Sequence, residues 1–168
     1  VNDTPTLVLP DSLEFSEDGI LTISFSQYIN DIDEDPLVLT VSGNENIFTD
    51  DINGYNVSFS AQENWNGNET LTITIDDNQG RAVASDNIKI FVNPMNDPPV
   101  IIGPTELSTP EETPLEITSD LLDVSDVDNE FPNNGSSIFV LSGENYSVTD
   151  NIIMPDEDFN DTLIVAVY

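Results

Sequence analysis

The sequence predicts an all-β protein built as two tandem antiparallel β-sandwiches, over residues 1–95 and 96–168, the second lacking its last strand. Three observations predict it. Apolar and polar residues alternate in short runs, the period of a strand with one buried and one wet face. Asn, Asp, Gly and Pro punctuate those runs at regular spacing, as in a sandwich of about seven strands. The chain also nearly repeats itself: Asn2-Asp3-Thr4-Pro5 returns as Asn96-Asp97-Pro98-Pro99, an offset of 94 residues. A fixed period marks stacked copies of one structural unit.

In the first copy, Leu21, Ile23 and Phe25 alternate with Thr22 and Ser24, and Leu37, Leu39 and Val41 alternate with Val38 and Thr40. Val57 and Phe59 flank Ser58, and Asn53-Gly54 just before them is a tight-hairpin signal. Leu71, Ile73 and Ile75 then alternate with Thr72 and Thr74, and Ile88, Ile90 and Val92 with Lys89 and Phe91. Trp65 precedes the fourth run and is expected to plug the core beside the incoming loop. No stretch shows helical periodicity. The second copy reads the same way at 115–118, 138–141, 146–149 and 162–167, with Phe159 in the place of Trp65. The counterpart of Asp76–Val92 is expected beyond Tyr168, so the chain reads as a piece of a longer array. A missing strand leaves an exposed edge and an open core, which makes the second copy the weaker. Between the copies, Pro94, Pro98 and Pro99 favour extended backbone and block helix. The linker is therefore a stiff strut.

Composition narrows the function. The net charge is −31, from 33 acids against only Arg81 and Lys89. Such a chain repels nucleic acid and anionic lipid, and no apolar run is long enough to span a bilayer as a helix. With 38% hydrophobic residues in alternating runs it is not a disordered acidic tail. There is no Cys, hence no disulfide framework, and no His, the usual general base and zinc ligand. A secreted protein without disulfides needs another means of support, and metal is the obvious one.

The acids themselves recur. Ser16-Glu17-Asp18-Gly19 matches Pro110-Glu111-Glu112-Thr113, and Asp31-Ile32-Asp33-Glu34 matches Asp126-Val127-Asp128-Asn129. The stretch Gln62-Glu63-Asn64-Trp65-Asn66-Gly67 matches Asp156-Glu157-Asp158-Phe159-Asn160-Asp161. Calcium takes six to eight oxygens from carboxylates, amides and carbonyls, so acids from several loops meeting at one pole of a sandwich make a site. In this topology Glu17-Asp18, Glu63 and Asn96-Asp97 are expected to gather at the bottom of the first copy. Asp126 and Asp128 are expected at the top of the second. Taken singly, each motif has a plainer reading, because Asp favours turn backbones.

On these residues the sequence resembles the cadherin-like tandem repeats of large bacterial surface and secreted proteins, over essentially the whole chain. Asp76-Asp77-Asn78-Gln79-Gly80 adds the Asp-Gly-rich turn before the last strand. The resemblance implies immunoglobulin/cadherin-like sandwiches with calcium between successive repeats. It assigns a junction site to Glu17, Glu63, Asn96, Asp97, Asp126 and Asp128. It assigns half of an equivalent site to Asn2, Asp3, Asp31, Asp33 and Asp76. Glu63 departs from the family pattern, standing in Gln-Glu-Asn-Trp rather than the Asp-Arg-Glu of animal cadherins.

The expected function is a calcium-stiffened structural or adhesion module, non-catalytic, at the cell surface or outside the cell. Its partners would be neighbouring repeats, cell-surface proteins or polysaccharide. Two alternatives stand beside it. One is an accessory module of a secreted hydrolase, whose mark would be an aromatic platform drawn from Phe48, Tyr55 and Phe91. The other is a metal-free acidic spacer, stabilised as well by monovalent salt. Glycosylation sequons at Asn2, Asn56, Asn68, Asn134, Asn145 and Asn160 carry little weight in so Asn/Ser/Thr-rich a chain. Paired carboxylates for glycoside hydrolysis would need an apolar pocket, whereas these acids sit in polar turns.

Overall fold

A computed structural model describes residues 3–78, 83–102, 106–131 and 137–168. The chain divides into two compact units, Val1–Met95 and Asn96–Tyr168. Among the described residues unit 1 holds nine strands: β1 (Thr6–Leu7), β2 (Ser12–Ser16), β3 (Leu21–Ser24), β4 (Ile29–Asn30), β5 (Val38–Ser42), β6 (Ile47–Asn53), β7 (Asn56–Ala61), β8 (Gly67–Asp76) and β9 (Val83–Asn93). They form a four-stranded sheet in the order β2-β9-β8-β5, a three-stranded sheet β3-β7-β6, and the short pair β1-β4.

The alternation of apolar residues dictates this arrangement. Leu71, Ile73 and Ile75 of β8 and Ile88, Ile90 and Val92 of β9 turn inward and are buried, with Leu39 and Phe15 from the strands beside them. Ile47, Val57 and Phe59 of the three-stranded sheet join the same core, and Phe25 is fully buried with them. Gly54 gives the β6–β7 hairpin its left-handed corner at φ +62°. Trp65 packs against the core edge, and Gly67 lets it do so: a Cβ there would lie 2.8 Å from the Trp65 ring. One pairing is parallel, β2 with β9, with Leu13 beside Ile90 and Phe15 beside Val92.

Unit 2 contains β10 (Val100–Ile101), β11 (Leu115–Glu116), β12 (Val124–Ser125), β13 (Tyr146–Thr149) and β14 (Ile152–Pro155). Its sheet β11-β14-β13 repeats β3-β7-β6 of unit 1, and its β10-β12 pair repeats β1-β4. Asp150 and Asn151, at φ +48° and +64°, turn the β13–β14 hairpin, as a two-residue loop with both positions left-handed requires. The second large sheet has no such counterpart among the described residues. The strands expected at 138–141 and 162–167 meet in a single antiparallel bridge, Val140 with Val167. Unit 1 shows the reason: there β8 is held on one edge by β5 and on the other by β9, and among the described residues unit 2 has only the first of these contacts. Its core is correspondingly small, with Ile117, Tyr146 and Ile153 buried and Leu163, Val165 and Val167 half-buried around them.

Candidate metal centre

Glu17 follows β2 and is 2% exposed. Its backbone N–H donates to the Asn93 carbonyl at 2.9 Å. Its Oε1 accepts the Met95 N–H at 2.6 Å. Its Oε2 is buried with no hydrogen-bond partner. A buried carboxylate oxygen without a donor is costly, and a cation is the natural complement for it. Asp18, the next residue, reaches the Asn64 N–H at 3.5 Å through Oδ1. This contact brings the 16–19 and 62–65 turns to one pole of unit 1, with Met95 beside Glu17. Glu63 lies on that pole and is exposed.

A second arrangement occurs twice. In unit 1 the Asp3 N–H donates to Asp33 Oδ2 at 2.5 Å, and the Asp33 N–H donates to Asp31 Oδ1 at 3.2 Å. In unit 2 the Asp97 N–H donates to Asp128 Oδ2 at 2.6 Å, and the Asp128 N–H donates to Asp126 Oδ1 at 3.0 Å. In both copies the first Asp of the Asp-x-Asp loop is half-buried and the second exposed. Asn96 joins the second set, its Oδ1 accepting from Asn129 Nδ2 at 3.3 Å. Each of these bonds engages one oxygen of a carboxylate with room for several acceptor contacts. The expected ligand Asp76 is half-buried at the end of β8 and accepts the Asn78 N–H at 2.7 Å. Asn2, with Gln79 and Gly80 of the Asp-Gly-rich turn, lies outside the described residues.

Among the described residues, no three carboxylates converge as a ready-made metal cage. The structure thus joins Asp3 to Asp33 and Asp31, and joins Asp97 to Asp128 and Asp126; Glu63 stands in the turn whose Asn64 meets Asp18, with no direct bond to Glu17 among the described residues. The structure does not bring Asp76 into either set through a direct bond. Part of the acid repeat has a backbone origin. Asp18 and its copy Glu112 stand at φ +58° and +55°, and Asn64 and its copy Asp158 at +57° and +60°. Asp and Asn tolerate this left-handed region better than most residues. The two copies of the early acid also differ: Glu17 is buried under residues 93–95, whereas Glu111 is exposed.

One acid was not legible as structural. Glu69, on β8, accepts the Asn46 N–H at 2.5 Å, Asn46 Nδ2 at 2.8 Å, the Ile47 N–H at 3.1 Å and the Glu45 N–H at 3.3 Å. Desolvation pushes its pKa up, but these amide donors outweigh that and hold it below the usual 4.5. A lone Glu among Thr and Asn in a strand gives no signal for this role. The exposed rings proposed as a sugar platform do not share a face, since Phe48 belongs to β6 and Phe91 to β9, on different sheets.

With this geometry in view, the match to a known family places the fold. The family model of the bacterial Ig domain matches residues 2–91, more than half of the chain. The chain belongs to that family, a class of non-catalytic sandwich modules. No curated protein matches it. Among solved structures it is similar to an endo-fucoidan hydrolase of glycoside hydrolase family 107. One form of that enzyme matches at 14% identity over 98% of this chain and 28% of the other, TM-score 0.46. A second form matches at 15% identity over 91% and 24%, TM-score 0.42. It is similar also to Drosophila N-cadherin EC1-4, at 16% identity over 92% of this chain and 41% of that one, TM-score 0.42. The chain therefore spans less than half the length of each. No helix among the described residues is long and apolar enough to cross a membrane.

Proposed function

We propose that this chain is a calcium-stabilised structural or adhesion repeat of a large extracellular or cell-surface bacterial protein. The observation that carries the reading is the buried Glu17 Oε2, which has no hydrogen-bond partner. The twice-repeated Asp loops support it, because the same backbone-to-carboxylate bonds hold Asp31 and Asp33, and Asp126 and Asp128, in the same pose. The donors would be Glu17 and Glu63 on unit 1, and Asn96, Asp97, Asp126 and Asp128 on unit 2. Asp3, Asp31 and Asp33, with Asn2 and Asp76, would serve the same role toward a preceding repeat. These are hard oxygen donors suited to calcium rather than to a soft metal. Bound calcium would offset part of the −31 charge and tie successive repeats into a stiff array. The partners would then be neighbouring repeats, with cell-surface proteins or polysaccharide as what the array meets.

Calorimetric titration of calcium into the chelator-stripped chain tests the reading. Saturable binding, weakened about tenfold or more by Glu17→Gln, is the expected result. Heats no larger than those of magnesium, or binding indifferent to Glu17, would refute it and leave a metal-free acidic spacer.

A further inference from the structure

The wet face of the four-stranded sheet in unit 1 holds a cleft of about 570 Å³ between β2 and β9, lined by Ser12, Leu13, Glu14, Phe91 and Asn93. The alternation of the two strands builds it. Phe15, Ile90 and Val92 turn into the core, so Glu14, Phe91 and Asn93 stand outward and exposed. The strand register sets Glu14 beside Phe91 on one side and Asn68 of β8 beside it on the other. Phe91 is 36% exposed.

Lys89, the next outward residue along β9, holds its Nζ 4.8 Å from the centre of the Phe91 ring. It is one of two cations in a chain with 33 acids, yet the contact the structure gives it is with a ring. Toward β5 the face continues in hydroxyls and amides. Thr72 donates to Asn87 Oδ1 at 2.9 Å, and the Thr74 and Ser85 hydroxyls share a bond of 2.9 Å. Glu69 and Asp86, acids of the same two strands, are engaged elsewhere, by the Asn46 and Leu9 amides.

We propose that this cleft binds a neutral polysaccharide, with one sugar ring of a β-linked chain stacked on Phe91. Such a ring has a face of C–H groups and a rim of hydroxyls that both donate and accept. The electron-rich face of Phe91 suits the C–H groups. Glu14 accepts, Lys89 donates, and Asn68 and Asn93 do both. The Lys89 ammonium rides on a flexible stem, and its hold on an exposed ring is weak. It therefore yields the ring face to a sugar and donates to the hydroxyls instead. Glu14 and Lys89 balance each other, which matches an uncharged ligand, whereas the net charge of −31 repels a polyanion. An added peptide strand is a poor occupant, because β9 is already paired on both edges. The cleft volume falls within the range of small-ligand sites. The inference gives a place to the polysaccharide named above as a partner. It uses none of the residues assigned to calcium, so it stands or fails separately from the metal.

Cellohexaose, mannohexaose and xylohexaose, all neutral and β-linked, are titrated into the whole chain and followed by NMR. At least one should bind saturably, equally in EGTA and in calcium. It should shift the signals of Asn68, Phe91 and Asn93 and leave those of Phe48, on the other sheet, in place. Phe91→Ala should weaken that binding at least about tenfold, and Lys89→Met about threefold or more. Phe48→Ala should leave it unchanged. Phe91 and Lys89 lie outside the core, so both variants should keep the fold, which the spectra report directly. Hexagalacturonate, a polyanion, should bind more weakly than the neutral sugar. No binding by any neutral probe, binding indifferent to Phe91, tighter binding of hexagalacturonate, or binding that requires calcium would overturn the proposal.

Discussion

Glu17 accepts the Met95 amide through Oε1 at 2.6 Å while its other oxygen stays buried without a hydrogen bond. One side chain thus fastens the exit of unit 1 and retains a desolvated negative charge. Without a cation, that charge opposes folding. Glu17→Gln removes the charge and keeps an acceptor for Met95. In chelator the variant should be at least as stable as the parent; in saturating calcium it should be the less stable by about 2 kcal/mol. Urea unfolding under both conditions checks the crossover, and a variant weaker in both would assign Glu17 a purely structural role.

Glu69 predicts a pH effect of definite sign. Its folded pKa is depressed, so its contribution is complete above 4.5 and is lost as the pH falls through the folded value. Glu69→Gln should cost about 1–2 kcal/mol at neutral pH, the lower end reflecting its solvent exposure. The gap between parent and variant should close as the pH drops below 4.5. Paired denaturation curves across that range measure it; a gap that widens on acidification would contradict the assignment.

Gly67→Ala should disturb Trp65, because the new methyl would sit 2.8 Å from its ring. The expected cost is about 1–3 kcal/mol, as for other overpacked sites. Trp65 is the sole tryptophan, so a red-shifted emission reports its displacement directly. An unshifted spectrum with full stability would show that the ring moves freely.

The unequal cores predict unequal protection. Amides at 163–167 should exchange about 100-fold or more faster than those at 71–75, since among the described residues only the latter are paired on both edges. Exchange followed by mass spectrometry decides it, and uniform protection would mean that the second large sheet of unit 2 forms without a further strand.

Much of unit 1 was readable in the chain because alternation is local: β3, β5, β7, β8 and β9 each carry their own pattern. The parallel pairing of β2 with β9 was not, since nothing near Leu13 and Phe15 names a partner so far along the chain. The strand β14 was missed because its signal lies in the Asp150-Asn151 turn rather than in a long apolar run. In unit 2, the alternation at 162–167 promised a strand that pairs at one bridge only, because a strand needs neighbours as well as pattern. The acid repeat was legible, but its causes were not: Asp18 and Asn64 recur with a left-handed backbone, while Glu17 is buried by residues 93–95. Burial of that kind is set by tertiary contact and leaves no trace in spacing.

The most direct measurement is thermal unfolding of the chain in EGTA and in about 1 mM calcium, at fixed ionic strength with magnesium as control. A calcium-stabilised repeat should show a calcium-specific rise of about 5–10 °C, lost when Glu17→Gln is combined with Asp126→Asn and Asp128→Asn. An unchanged midpoint, or an equal rise from magnesium or sodium, would contradict it.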